Sequence, residues 1–262
     1  MKSKVKNSQT KVYLDHRLAA PGDVLLQLGE GRVSAAIART TMAPFSHAAI
    51  LVASTIMYEA LDDGVLPTTL PLVAVQAVGD GVRLAAAMSD VRAARLLRHA
   101  NLEQDVVARR FDVADEFMEK LLEFVGRRYA DTCDLLRAAP SGSPLRALGS
   151  WLKSNSTRGR LPRSKRGIFC SELVARTYAA VGLPLFEKVT PAGRVNPGDL
   201  IGSPFLHEVQ GGVFFAQQAT PTPQMTHFIE AAKKNLLRRE DYADWYKRAE
   251  EIDKNLQRQE EG

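Results

Sequence analysis

Cysteine is scarce in this chain: only Cys133 and Cys170 occur in 262 residues, too few for the disulfide framework that holds small secreted domains together. A reducing compartment is the simpler setting, and each thiol becomes a question of chemistry rather than of cross-linking. Long apolar runs are also missing, and no stretch approaches the length of a membrane span. Met1 to Lys11 is polar and basic, with no apolar segment after it. The expectation is therefore no ordinary secretory signal peptide and a cytoplasmic location in the producing cell, with any outward delivery by a signal-peptide-independent route. Aromatic residues make up only 7% of the chain, and they form no stacking ladder among the basic residues. Zinc-finger spacing is absent too, so nucleic acid is not an expected partner. His16, His99, His207 and His227 each lack a second ligand at metal spacing, and neither a metal nor a cofactor is expected.

What is present is a hydrophobic content of 45%, enough over this length to bury one full core with embellishments. The 35 Lys and Arg against 30 Asp and Glu leave a formal charge of +5, a bias toward anionic surfaces that names none of them.

Along the chain, Pro21-Gly22-Asp23 signals a turn into Val24-Leu25-Leu26-Gln27-Leu28, an apolar run that reads as a strand. Val33 to Thr41 reads as a short helix before Pro44. The runs His47 to Val52 and Thr55 to Ala60 predict adjacent strands, with a turn at Asp63-Gly64. A third strand is expected at Val73 to Val78 and a fourth at Val82 to Ala85. From Ser89 to Val125 apolar residues recur at helical spacing among charges, which predicts one or two helices. Residues 138 to 167 are rich in Ser, Gly, Pro, Arg and Lys and read as a long basic loop. Ser171 to Val181 is the clearest helix, ended by Gly182 and Pro184. Asn196-Pro197-Gly198-Asp199-Leu200 reads as a turn into a short strand, and Phe228 to Gln259 as a charged amphipathic helix or pair of helices.

Cys170 falls at the N-terminus of the clearest helix, where unpaired backbone N–H groups favour thiolate over thiol and can hold the oxyanion formed when a thiolate attacks a carbonyl. A lone cysteine there is more often an inert core residue, but two further residues change the balance. His47 opens an apolar strand, and Glu59 interrupts another, an unfavourable place for a carboxylate without a partner. The even spacing of the two across a tight hairpin suggests one face, where the carboxylate would fix the tautomer of the imidazole. Cys133, flanked by carboxylates that oppose thiolate formation, has no assigned base.

Ser46-His47-Ala48-Ala49-Ile50, Tyr58-Glu59-Ala60 and Phe169-Cys170-Ser171-Glu172-Leu173-Val174, in that order, resemble the permuted NlpC/P60 papain-like hydrolases, in particular the YiiX/YebB-like branch related to the lecithin:retinol acyltransferase-like proteins. Pro21-Gly22-Asp23-Val24, Gly126-Arg127-Arg128-Tyr129 and Pro197-Gly198-Asp199-Leu200 extend the likeness over roughly residues 20 to 205. The resemblance implies an α+β class with a circularly permuted papain-like fold, an antiparallel sheet packed on a cysteine-bearing helix, and additional helices. Residues 1–11 read as a flexible basic arm, the resemblance implies a catalytic domain at 12–205 containing the basic loop at about 138–167, and residues 206–262, which match nothing in the pattern, are expected to form a C-terminal extension ending in a charged helix. Cys170 matches the nucleophile, His47 the base and Glu59 the residue that orients the base, with Tyr129 and Ser171 toward substrate or oxyanion.

The expected reaction is amide or ester cleavage through a thioacyl-enzyme. Amides of peptidoglycan peptides and fatty acyl esters of lipids are the competing substrates, and a binding module that has lost the chemistry is the third reading. A lipid enzyme needs an apolar trough, for which Phe45, Phe169, Phe205, Phe214 and Phe215 are candidates, although core packing explains them equally well. The basic residues from Arg158 to Arg166, just ahead of Cys170, are the expected contact for an anionic surface.

Overall fold

A computed structural model describes residues 10–61, 64–77, 79, 81–103, 109–127, 167–238, 247–252, 254–255 and 258–259 of the chain. Its class is α+β. Short aliphatic runs punctuated by turn residues form two antiparallel sheets. The larger has six strands, in the order β5 (Gly64–Thr69), β4 (Ile56–Leu61), β3 (His47–Ala53), β2 (Val24–Gly29), β8 (Val91–His99) and β9 (Leu206–Glu208). The smaller closes on itself as a barrel of β1 (Lys11–Leu14), β10 (Val213–Gln218), β6 (Leu72–Ala77) and β7 (Val82–Ala87). Residues 206–218 thus supply one strand to each sheet. The helices are α1 (Arg32–Thr41), α2 (Ala100–Glu103), α3 (Arg109–Leu122), α4 (Cys170–Ala180), α5 (Pro197–Ile201) and α6 (Pro223–Arg238). Among the described residues no helix is long and apolar enough to cross a membrane.

Side chains alternate across a strand, and here both faces of the six-stranded sheet are covered. Leu26, Ala48, Ile50 and Tyr58 face α3 and α4, meeting Phe117, Leu121, Leu173 and Tyr178. Leu25, Ala49, Leu51, Met57 and Leu96 face the barrel, meeting Leu14, Leu72 and Met88. Each fully buried Leu or Ile contributes about 1.5–3 kcal/mol. This two-sided burial explains why β2 and β3 read as continuous apolar runs rather than as alternating ones.

One ion pair ties the sheet to the turn before it. Gly22 adopts φ 84°, a left-handed conformation that favours glycine, and Asp23 follows it into the core with its side chain fully buried. The Arg98 guanidinium donates to both Asp23 carboxylate oxygens at 2.7 Å and to the Leu18 carbonyl at 2.7 Å, while the Ala20 N–H donates to the same carboxylate at 2.9 Å. The Tyr178 hydroxyl of α4 donates to the Gly22 carbonyl, so turn, sheet and cysteine helix are bound together.

Five elements differ from the expectations. Val91 to His99 is a strand, not part of a helix. Arg92, Arg95 and Arg98 recur every third residue and imitate helical spacing, but Arg95 pairs with Glu208 of β9 and Arg98 with Asp23 beside β2, so strand partners decide. Residues 197–201 form a helix rather than a strand. Asn196 accepts from the Gly198 and Asp199 N–H groups, and the Asp199 carboxylate accepts from the Asn196 N–H, a reciprocal cap with Pro197 in the first turn. Gly64, expected only as a turn, begins an edge strand that tolerates Pro67. Lys11, expected in the basic arm, opens β1, and α6 starts at Pro223, where the Thr222 hydroxyl accepts from the Met225 N–H at 3.2 Å.

Removing one partner of the buried pair leaves the other charge uncompensated. Arg98→Met is expected to lower unfolding stability by about 3–5 kcal/mol in urea denaturation, against less than about 0.5 kcal/mol for exposed Arg92→Met. Equal midpoints for the two variants would show that the pair does not hold the sheet.

Candidate active site

The site begins with a register. Between β3 and β4 the tip pair is Ala53 with Ile56, but the pairs behind it are Leu51 with Met57, Ile50 with Tyr58 and Ala49 with Glu59. Val52 is therefore the extra residue of a β-bulge. Had the register of the tip continued, Glu59 would stand opposite Ile50, on the face that packs against the helices. The bulge shifts it by one residue to stand opposite Ala49, on the barrel-side face that His47 shares. His47 is then its diagonal neighbour across the strand pair, and the Nε2 of the ring lies 2.8 Å from Glu59 Oε2. The even spacing read from the sequence is not sufficient by itself, because with a two-residue turn and no bulge it would separate the two side chains.

The third strand extends the relay. The Thr68 hydroxyl of β5 donates to the Glu59 carboxylate from the position diagonal to Glu59, since β4 and β5 pair Glu59 with Leu66 and Met57 with Thr68. Burial alone would raise the Glu59 carboxyl, but the hydrogen bond and charge of His47 and the Thr68 hydroxyl outweigh it and hold the group below its ordinary value.

Cys170 arrives from the opposite side of the sheet, as the first residue of α4. Phe169 before it is extended (φ −80°, ψ 154°) and supplies no capping side chain, so the first N–H groups of the helix are not consumed by a cap. The Ser171 N–H, together with the Ala48 N–H of β3, donates to the Cys170 sulfur. The sulfur and the imidazole are hydrogen-bonded to each other. Because Nε2 is taken by Glu59, the nitrogen facing the sulfur is Nδ1.

The electrostatics follow from this arrangement. Burial works against a charged imidazole, yet the Cys170 sulfur and the Glu59 carboxylate outweigh it and push the His47 pKa up to about 10. Burial raises the Cys170 thiol, but the charge and hydrogen bond of His47 and the two backbone N–H groups prevail and bring it below the ordinary thiol value. Both shifts favour the thiolate and imidazolium form of the pair, with Nδ1–H donating to the sulfur and Nε2–H to Glu59.

The structure therefore brings Cys170, His47 and Glu59 together. The Ser171 hydroxyl is committed elsewhere, donating to the Val195 carbonyl at 2.7 Å, and what this residue offers the sulfur is its backbone N–H. Tyr129, Cys133 and the basic stretch at 158–166 lie outside the described residues. Sequence reasoning missed Thr68, because β5 was not foreseen, and the Ala48 N–H, because a backbone donor has no side-chain signature. It also missed Gln27, buried on β2 directly opposite His47.

A cavity of about 590 Å³, within the range of small-molecule sites, lies between the barrel-side face and the barrel, with His47, Glu59, Gln27, Met57, Leu70, Met88 and Asp90 on its wall. None of the five phenylalanines expected to line a trough is on that wall. Phe45 and Phe169 are buried in the core, Phe205 stacks on His99, Phe214 lies under Arg83, and Phe215 is exposed. Among the described residues no group of three His, Cys, Asp or Glu side chains could hold a metal ion. The chain matches no protein-family model, and no curated protein matches it.

Alkylation by iodoacetamide reads the thiolate directly. In a Cys133→Ser background, a lowered thiol pKa keeps Cys170 reactive as pH falls below the ordinary thiol value of about 8.5, with loss only at the depressed value. Glu59→Gln weakens the imidazolium, so the midpoint should move upward, and His47→Ala should move it further. A midpoint at the ordinary value in all three proteins would refute the ion pair.

Proposed function

We propose that the chain is a cysteine-dependent acyl hydrolase with the circularly permuted papain-like arrangement that its sequence resembles, and that it cleaves an amide through a thioacyl-enzyme. The observation that supports this most is the hydrogen-bonded series from the Cys170 sulfur through His47 to Glu59 and Thr68. Each group has one role in that reaction. The thiolate attacks the carbonyl carbon, and the Ser171 and Ala48 N–H groups, which donate to the sulfur, are the donors assigned to the developing oxyanion. His47 in its charged form gives a proton to the departing nitrogen, then takes one from the water that opens the thioester. Glu59 keeps the ring oriented and stabilises its charge, and Thr68 keeps Glu59 in place.

A purely structural role explains this set poorly. A buried carboxylate, imidazole and thiol are costly to place together, and an apolar trio of similar volume would pack the same corner with less strain on the fold. The basic stretch at 158–166 is proposed as the contact for an anionic surface on which such a substrate lies.

Peptidoglycan fragments and phospholipid, each incubated with wild type and with Cys170→Ala and followed by mass spectrometry, test the reading. Wild type is expected to release a free amine from the peptide and to show a transient acyl adduct on Cys170, and Cys170→Ala neither. His47→Gln should lower kcat/KM by roughly 10²- to 10⁴-fold. The wild-type profile should be bell-shaped, its acid limb set by loss of the thiolate below the depressed Cys170 pKa and its alkaline limb by loss of the His47 proton near 10. Full activity of Cys170→Ala on the same substrate would overturn the mechanism.

A further inference from the structure

In acyl transfer to a cysteine the sulfur–carbon bond forms, the carbon–nitrogen bond breaks, and the departing nitrogen takes its proton from the imidazolium. In the second half the incoming nucleophile returns a proton to the imidazole, bonds to the carbonyl carbon and expels the thiolate. Both the departing group and its replacement must therefore lie against the imidazole. The His47 side chain is 18% exposed, whereas Cys170 is 3% exposed. The cavity of about 590 Å³ has His47 and Glu59 on its wall but not Cys170. The open space of this cavity thus borders the imidazole rather than the sulfur.

The wall also has a definite chemistry. Met57, Leu70, Met88 and Val91 give it apolar surface, Glu59 and Asp90 bring two carboxylates, and its described residues include no lysine or arginine. Against these two carboxylates the wall sets only the charged His47 ring, so an anion placed there meets a net negative surface while an amine meets the opposite charge.

We propose that this cavity is the subsite for the amine half of an amide substrate, and that it takes an apolar amine in preference to any anionic leaving group, a phosphate-bearing lipid remnant included. The inference rests on the acyl-transfer reading and narrows its substrate class. It makes the specificity of the enzyme a property of the barrel, since β7 and the turn after it supply Ala87, Met88, Ser89 and Asp90 to the wall.

Binding can be read without chemistry in the full-length Cys170→Ala protein. With ¹³C-methyl methionine, phenethylamine is expected to shift the Met57 and Met88 resonances saturably, at a concentration about tenfold lower than 3-phenylpropionate or phenyl phosphate, which carry the same ring with the opposite charge. Ser89→Trp, a substitution at an exposed wall position, should abolish the response, and Asp90→Asn should reduce the charge preference. Equal or stronger binding of the two anions, or no response to any probe, would overturn the proposal. In the active protein acetylated on Cys170 by p-nitrophenyl acetate, phenethylamine should divert the acetyl group from acetate to N-phenethylacetamide, and Ser89→Trp should restore acetate. Release of acetate alone at saturating amine would refute the subsite while leaving the thioacyl mechanism intact. Failure of Cys170 to acylate would instead count against the catalytic reading.

Discussion

The register of β3 against β4 is the constraint on which the site depends. One extra residue, Val52, separates a hairpin that would bury Glu59 among the helix-facing apolar side chains from one that sets it 2.8 Å from the His47 ring. A carboxylate on the helix-facing side would meet the apolar layer of Ile50, Leu121 and Leu173, with several kcal/mol of desolvation against it. The apolar residues of the two strands therefore enforce the same register as the chemistry. Shifting the pairing by one residue would turn Tyr58 away from the helix-facing core at the same time as it broke the relay.

Around that hairpin, the fold resists the tendency of three ionisable groups to escape to water. The cysteine helix is held at its N-terminus by Ser171 on Val195 and farther along by Tyr178 on Gly22, so the sulfur cannot withdraw from the imidazole without breaking two buried hydrogen bonds. The Asp23–Arg98 pair fixes β2 between β3 and β8, and β2 in turn places Gln27 beside His47. The arrangement is mutually supporting: the imidazolium stabilises both the thiolate and the carboxylate, and each of these raises the affinity of the ring for its second proton.

Much of this was legible in the sequence where one local signal sufficed. Cys170 at a helix start, His47 at a strand start and Glu59 within an apolar run were each readable from their neighbours, as were β2, β3, β4 and the helix that carries the sulfur. What escaped notice depends on partners distant in sequence. The arginines of β8 look helical until Asp23 and Glu208 are placed beside them. The capping of Asn196 by Asp199 distinguishes a helix from a turn only once the reciprocal bonds are drawn. The bulge at Val52 leaves no mark on composition, so the sequence suggested the shared face of His47 and Glu59 for a reason that was incomplete. The phenylalanines failed as guides to the cavity because an aromatic ring in a core and one in a trough have the same sequence context.

The claim at the centre of this account is that His47 carries two ring protons at neutral pH, one toward the Cys170 sulfur and one toward Glu59. Nitrogen-15 NMR of the imidazole reports both directly. Two protonated nitrogens persisting from pH 7 up to the neighbourhood of 10 would agree with the paired thiolate and imidazolium, and a neutral ring at pH 7 with one bare nitrogen would contradict it.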